Sequence, residues 1–311
     1  MENILYYIIA FLIFPGFLFT GIFGMITTWI DRKVTALVQW RVGPPFFQPF
    51  SDLFKLWNKE LLIPTSAKKT GFLLAPFIGV STTTLIATIL GIINLNPEFR
   101  FVGDVIVLVY LFIIPPVSII WGGFASGNPL CVLGASREIK LMMAYELPFI
   151  IIIATVLFKV GTFSLGEIIQ YQQVHGVLLQ YPSMIIAFIV SLLVLQAKLG
   201  QVPFDIAEAE CEIMEGPLLE YSGPSLGIYK LMNAMLYVTV PWFIISLFWG
   251  GTDLTGLNIL WSLLKYLVII TVVVLIKNTN PRIRIDQAVK FFWSWGTLLA
   301  LAALFLMLLG Y

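Results

Sequence analysis

Six of the seventeen acidic residues fall within Gln201–Gly223, QVPFDIAEAECEIMEGPLLEYSG: Asp205, Glu208, Glu210, Glu212, Glu215 and Glu220. Carboxylates crowded between two long apolar runs are groups that hold and pass protons, because each negative charge makes its neighbours bind a proton more readily. Pro203 and Gly216-Pro217 bracket the acids, so the spacing predicts a helix of about three turns over 204–215. On such a helix Asp205, Glu208, Glu212 and Glu215 fall within roughly an 80° arc, while Glu210 points elsewhere. On charge alone a solvated acidic loop, about 199–223, is the simpler explanation; what surrounds the stretch argues for more. Glu146, in Tyr145-Glu146-Leu147-Pro148, lies inside an apolar run, where an ionisable side chain is costly and marks function more often than structure. Pro148 withholds a backbone donor, which predicts a kink there. Glu146 must turn inward and either carry a proton or meet a cation, for which Lys230 and Lys265 are the candidates; both could instead snorkel to an interface.

The elements that position these groups are membrane helices. The 311 residues are 59% hydrophobic and 11% charged, with net charge +1. That composition implies an all-α integral membrane protein, a single membrane domain over 1–311, and leaves no argument for nucleic acid. Eight segments can cross: about 4–28, 72–94, 105–124, 139–160, 183–198, 226–249, 258–276 and 291–309. The first is expected to be a retained span, since it lacks a basic leader and a small-residue cleavage site. Two cysteines, Cys131 and Cys211, supply neither an iron–sulfur cluster nor a zinc motif. The one histidine, His175, reads as an ordinary loop residue, so no cofactor and no metal is expected in this chain.

Fourteen of the eighteen lysines and arginines lie on the side of the odd-numbered connections, with Arg100 and Lys159 opposite and Lys230 and Lys265 inside spans. The bias predicts a multi-pass protein of the plasma membrane with both termini outside the cytoplasm, and it places the acidic stretch on the cytoplasmic side. The first connection carries Phe50, Leu53, Phe54, Trp57 and Leu61 at helical spacing against Asp52, Lys55, Asn58 and Lys59, which predicts an amphipathic interfacial helix over about 49–61. Before it, Gly43-Pro44-Pro45 forces a turn beside Arg41.

Four blocks, in order, resemble the complex I membrane subunit that meets the peripheral arm, the subunit 1 or H-type family. They are DRKVTALVQWRVGPP (31–45) continuing to QPFSDLFKLWNKE (48–60), GASREIKLMMAYELPF (134–149), VPFDIAEAECEIMEGPLLEYSG (202–223) and NPRIRIDQ (280–287). The resemblance implies eight spans and an interfacial helix. It also implies a non-redox role: docking a soluble iron–sulfur and catalytic arm, and coupling its chemistry to proton or sodium movement through antiporter-like membrane partners. By the same resemblance Glu146, Asp205, Glu208, Glu210, Glu212, Glu215 and Glu220 are relay groups, and Arg32, Lys33, Arg41, Arg137 and Asp286 face the arm. Iron–sulfur clusters, and nickel–iron in a hydrogenase, belong to partners. Quinone-type members carry Asn-Arg where this chain has Gly200-Gln201, and the chain also departs at Asp31, Pro44-Pro45 and Ala207. These differences imply closer kinship with the M-type subunit of membrane-bound energy-converting hydrogenases or a related sulfur-reducing complex. The alternative is a quinone-chamber subunit, with the chamber near Trp40, Arg41 and Phe204. A stand-alone transporter would be expected to show internal repeats, and none is evident.

Overall fold

Long apolar stretches without glycine–proline breaks become helices, since a membrane leaves the backbone no other way to satisfy its polar groups. The computed structural model describes residues 2–99, 103–253 and 256–310 and, within these, all side chains other than those of 2–4, 210 and 211. Arg100 therefore lies outside the described residues, as does the side chain of Glu210. The helices are α1 (Glu2–Leu12), α2 (Phe17–Val38), α3 (Gln48–Trp57), α4 (Lys69–Leu95), α5 (Asp104–Leu111), α6 (Ile114–Ala125) and α7 (Pro129–Val160). They continue with α8 (Leu165–His175), α9 (Pro182–Lys198), α10 (Glu210–Ile213), α11 (Gly223–Phe248), α12 (Asn258–Thr279), α13 (Ile285–Phe291) and α14 (Thr297–Leu308), and no strand occurs among the described residues.

Among the described residues, seven helical segments are long and apolar enough to cross a membrane, and α9 adds a shorter apolar helix at the place of the fifth expected span. Two spans are interrupted. The Pro15 region separates α1 from α2, and residues 112–113 separate α5 from α6 just before Pro115-Pro116. In contrast, α7 runs unbroken through Pro148 and begins ten residues earlier than the apolar run, carrying Arg137 and Glu138 on its extension. Polar residues likewise prolong α2 through Asp31, Arg32 and Lys33, because nothing before Gln39 breaks the helix. Between α13 and α14 lies a π-helical segment, Phe292–Gly296.

A helix that is apolar all round belongs at the centre of a bundle. Accordingly α11 is almost wholly buried, surrounded by α2, α4, α9 and α12, whereas α12 and the α13–α14 span leave most of their surface outward. The interfacial helix α3 ends at Trp57, so Leu61 lies outside it. Its Leu53 is buried with Met25, Leu231 and Met235, while Phe54 and Trp57 stay exposed.

The expected helix over 204–215 does not form. Apart from the single turn α10, the stretch is a folded loop, so Asp205, Glu208, Glu212 and Glu215 do not share a helical face. The chain doubles back: Gly216 has φ +54°, and a Cβ there would sit 1.9 Å from the carbonyl oxygen of Ala207. Met214 also has positive φ, at 54°. A helix would hold its acids together without counter-charges, whereas the loop delivers Asp205 and Glu212 to separate cations.

Gly216→Ala should therefore cost more than backbone strain alone. Gly161, at φ +81° with nothing within 4 Å, provides the comparison. Gly161→Ala should cost about 1–3 kcal/mol from the left-handed conformation; Gly216→Ala should exceed it and lower the thermal midpoint of the purified assembly further. Equal midpoints would show that the 207–216 crossing is not tight.

Candidate functional site: a buried charge path beneath a charged cleft

The acids of the loop meet different partners. Asp205 pairs with Arg282 at 2.6 Å and Glu212 with Arg137 at 2.6 Å. A hydrogen bond from Ile283 N to Pro203 O, 3.3 Å, fastens the 280–287 segment to the loop beside the Arg282 pair. Glu220 accepts from Asn128 Nδ2, and Asn128 Oδ1 caps α7 by accepting from Leu130 N. Glu220 thus anchors the α6–α7 turn at the start of α11. Glu215 is exposed.

Two cavities meet at Asp205. The outer is a surface cleft of 250 Å³ whose charged lining includes Arg137, Glu212, Arg282, Arg284 and Asp286. The inner, 80 Å³, is walled by Glu138, Lys198, Asp205 and Glu208 with Phe204 and Tyr237. That volume accommodates several water molecules among polar groups. Oδ1 of Asp205 has no hydrogen-bond partner among the described residues.

Beyond the inner cavity, the Lys198 ammonium pairs with Glu146, the two side chains being 4% and 12% exposed. Lys198 also lies 4.4 Å from the Phe149 ring centroid and 4.9 Å from that of Tyr145. The cation expected for Glu146 is therefore neither candidate named from the sequence. Lys265 instead donates to the carbonyls of Trp249 and Gly251 at 2.7 and 3.2 Å, and Lys230 is exposed in a separate cleft beside α3. Lys198 escaped notice because a lysine ending an apolar run looks like an interface anchor; the turn at Gly200 (φ +59°) and the bond from Gln196 Nε2 to Val202 O, 2.6 Å, keep this end of α9 folded inward. Glu138 was missed because it precedes the apolar run; its separation of two helical turns from Glu146 was the available signal.

The sequence-predicted docking residues divide. Arg137 and Asp286 line the outer cleft. Arg32 holds Asp52 of α3 at 2.9 Å, and Lys33 donates to Val42 O at 2.6 Å, so both brace the chain's own first connection. Arg41 is exposed beside Trp40, which is 98% exposed. Phe204 is 2% exposed, packs on Phe291 and Phe292 and lines the inner cavity, whose walls do not include Trp40. A further pair, Lys277–Asp31 at 2.8 Å, ties α12 to α2. His175 closes α8, stacked on Tyr171.

Burial pushes the Glu208 carboxyl up to about 7, reinforced by Asp205 and Glu215 and opposed by Lys230. Burial likewise raises Asp205, against the lowering effect of Arg282. The site is thus a graded line of carboxyls, from solvent-facing Glu212 to buried Glu146, with cations at both ends.

An all-helical bundle carrying such a path under a charged cleft, with an interfacial helix beside it, defines a membrane subunit of a respiratory oxidoreductase. A family model described as NADH dehydrogenase matches residues 9–308, and the chain belongs to that family, in its H-type membrane-subunit branch. Among its relatives, the H-type subunit of NADH-quinone oxidoreductase from Dehalococcoides mccartyi (strain CBDB1) is 32% identical over 93% of this chain and 82% of its own length. The corresponding subunit from Bacillus mycoides (strain KBAB4) is 31% identical over 95% and 93%. A chain from the structure of the membrane-bound sulfane sulfur reductase, an archaeal respiratory membrane complex, superposes with a TM-score of 0.86 at 29% identity, over 98% of this chain and 99% of that one.

The raised Glu208 gives a pH dependence with a definite sign. A carboxyl that binds its proton more tightly in the folded state stabilises the fold below the ordinary glutamate range, and that contribution is lost as pH rises through about 7. The thermal midpoint of the assembly should fall from about pH 4.5 to about pH 7 and level off above that, and Glu208→Gln should flatten the slope. A protonated-carboxyl infrared band titrating near pH 7 should vanish in Glu208→Gln and move to lower pH in Asp205→Asn, which removes a neighbouring negative charge; an unmoved band would place the titration elsewhere.

Proposed function

We propose that this subunit docks a soluble electron-transfer arm at its charged end and converts redox events there into ion movement, without bond chemistry of its own. The continuity of Glu212, Asp205, Glu208, Glu138, Lys198 and Glu146 across two adjoining cavities carries this reading. A charge arriving near the outer cleft alters how strongly Arg282 and Asp205 hold one another. In a low-dielectric interior that change alters the proton affinity of Glu208 and, through Lys198, of Glu146. Glu146 then biases neighbouring antiporter-like membrane subunits. Glu210, Glu215 and Glu220 lie on the loop that carries the path, with Glu220 holding it to α7. Arg41, Arg137 and Asp286 form the docking face, and Arg32 and Lys33 shape it from behind. Iron–sulfur clusters, with nickel–iron in a hydrogenase, reside in the arm. The departures at Gly200-Gln201 and the separation of Trp40 from Phe204 favour a ferredoxin-linked hydrogenase or sulfur reductase over a quinone reductase.

In this reading the cationic end faces the cytoplasm and both termini lie outside, since Arg32, Lys33, Arg41, Lys55, Lys59, Arg137, Arg282 and Arg284 gather at one end. Single cysteines at Lys59 and Arg284 should react with impermeant reagents only from the cytoplasmic side. Labelling of either from outside would reverse the orientation.

Coupling is tested by electron flux and ion uptake measured on the same reconstituted vesicles. Removing one partner of the buried pair costs about 3–5 kcal/mol, whereas replacing both is tolerated. The double variant Glu146→Gln/Lys198→Met should therefore assemble, keep most of its electron flux with a diffusible donor, and move several-fold fewer ions per electron. Glu208→Gln should do the same, while Glu212→Gln, at the solvent end, should chiefly weaken attachment of the arm. An unchanged ion-to-electron ratio in the first two would leave the chain a scaffold.

A further inference from the structure

A second charged cleft, sharing no lining residue with the two cavities of the acid path, opens between α3, α2 and the start of α11. It measures 710 Å³, and its charged walls are Arg32, Asp52, Lys55, Lys59 and Lys230. Arg32 is engaged with Asp52 at 2.9 Å. Lys55, Lys59 and Lys230 are exposed, and none forms a salt bridge among the described residues. The cleft is built rather than incidental. Gly227 lets α11 approach α3 closely, since a Cβ there would lie 3.1 Å from the Trp57 ring. Lys230 stands three residues on, on the same side of α11, and so points along the seam. Flanking the cations, the Phe54 and Trp57 side chains, 57% and 46% exposed, project from the helix already assigned to the membrane interface.

Three lysines without salt bridges over exposed aromatic rings at the interface present both halves of one ligand: an anionic headgroup and an acyl chain. We propose that this cleft binds the phosphate headgroup of an anionic membrane phospholipid, with a chain lying over Phe54 and Trp57. The lipid would hold α3 against α11 from the membrane side, as Leu53 does from the protein side. An acidic protein segment could satisfy the lysines but would leave the aromatic flank open to lipid, so charge and apolar surface together favour the phospholipid.

The test uses the whole detergent-purified complex, stripped of loosely held lipid and then offered phosphatidylglycerol, phosphatidylcholine or inorganic phosphate. Phosphatidylglycerol should bind to a saturable site and raise the thermal midpoint, more weakly at high salt. In Lys55→Gln/Lys59→Gln/Lys230→Gln its affinity should fall at least about tenfold, while Lys68→Gln/Lys69→Gln, on the same end of the molecule but outside the cleft, should bind as the unaltered complex does. Should the triple variant fail to assemble, Lys59→Gln alone should show a smaller loss in the same direction. Four results would overturn the proposal: equal binding of phosphatidylcholine, the same midpoint shift with inorganic phosphate alone, unchanged phosphatidylglycerol affinity in the cleft variants, or loss of the soluble arm from those variants with lipid binding intact.

Discussion

The pair between Lys198 and Glu146 sets the terms for the rest of the structure. Two opposite charges held away from water repay their desolvation only if they stay together and their surroundings stay rigid. To keep Lys198 inside, α9 must end there rather than continue to the surface, and the chain must turn at Gly200 with its amide groups used locally. The residues that follow are thereby laid across the end of the bundle, over the inner cavity. Phe204 seals one side against Phe292, and the crossing of Gly216 under Ala207 holds the loop shut. The acid-rich stretch is therefore a lid whose shape descends from a buried ion pair, not an independent acidic helix.

Asp205 gives the path its directionality. It is the residue that lines both the solvent-facing cleft and the inner cavity, and one of its oxygens is spoken for by Arg282 while the other has no partner among the described residues. Outside it Glu212, more than half exposed, pairs with Arg137 and behaves as a surface charge, which salt screens. Inside it they are few, close and shielded from solvent, so each charge is felt by the next. The transition between the two regimes occurs over one side chain.

Much of the architecture was legible from hydropathy, because a bilayer tolerates so few backbone solutions. The spans, the amphipathic pattern of α3 and the inward turn of Glu146 all follow from the cost of exposing polar groups to lipid. Pairing was not legible. Glu146 and Lys198 lie far apart in the chain, and only packing of α7 on α9 brings them together. The acids at 205, 208, 212 and 215 repeat at helical intervals, yet the repeat is a coincidence of loop positions. Asp205 and Glu212 reach Arg282 and Arg137, whereas Glu208 turns inward. Repulsion within a helix of acids, together with the positive φ of Met214 and Gly216, was the physical reason to expect a loop. Pro148 lies inside α7 without ending it, since neighbouring helices can support a proline within a membrane helix.

The π-helical segment at Phe292–Gly296 sits where Phe292 touches both Tyr145 and Phe204, between the buried pair and the lid. A turn of this kind stores one residue more than a regular helix of the same length. That surplus is a matter of phase: relative to an unbroken α-helix, everything on one side of it is rotated by about 100°. The Phe292 side chain is thereby turned toward the lid while Ala300, Ala303 and Met307 of α14 still face the bundle. One inserted residue thus lets a single span address two different interiors, the polar one beneath the lid and the apolar one of the bundle, which a uniform helix of this sequence length would bring into conflict.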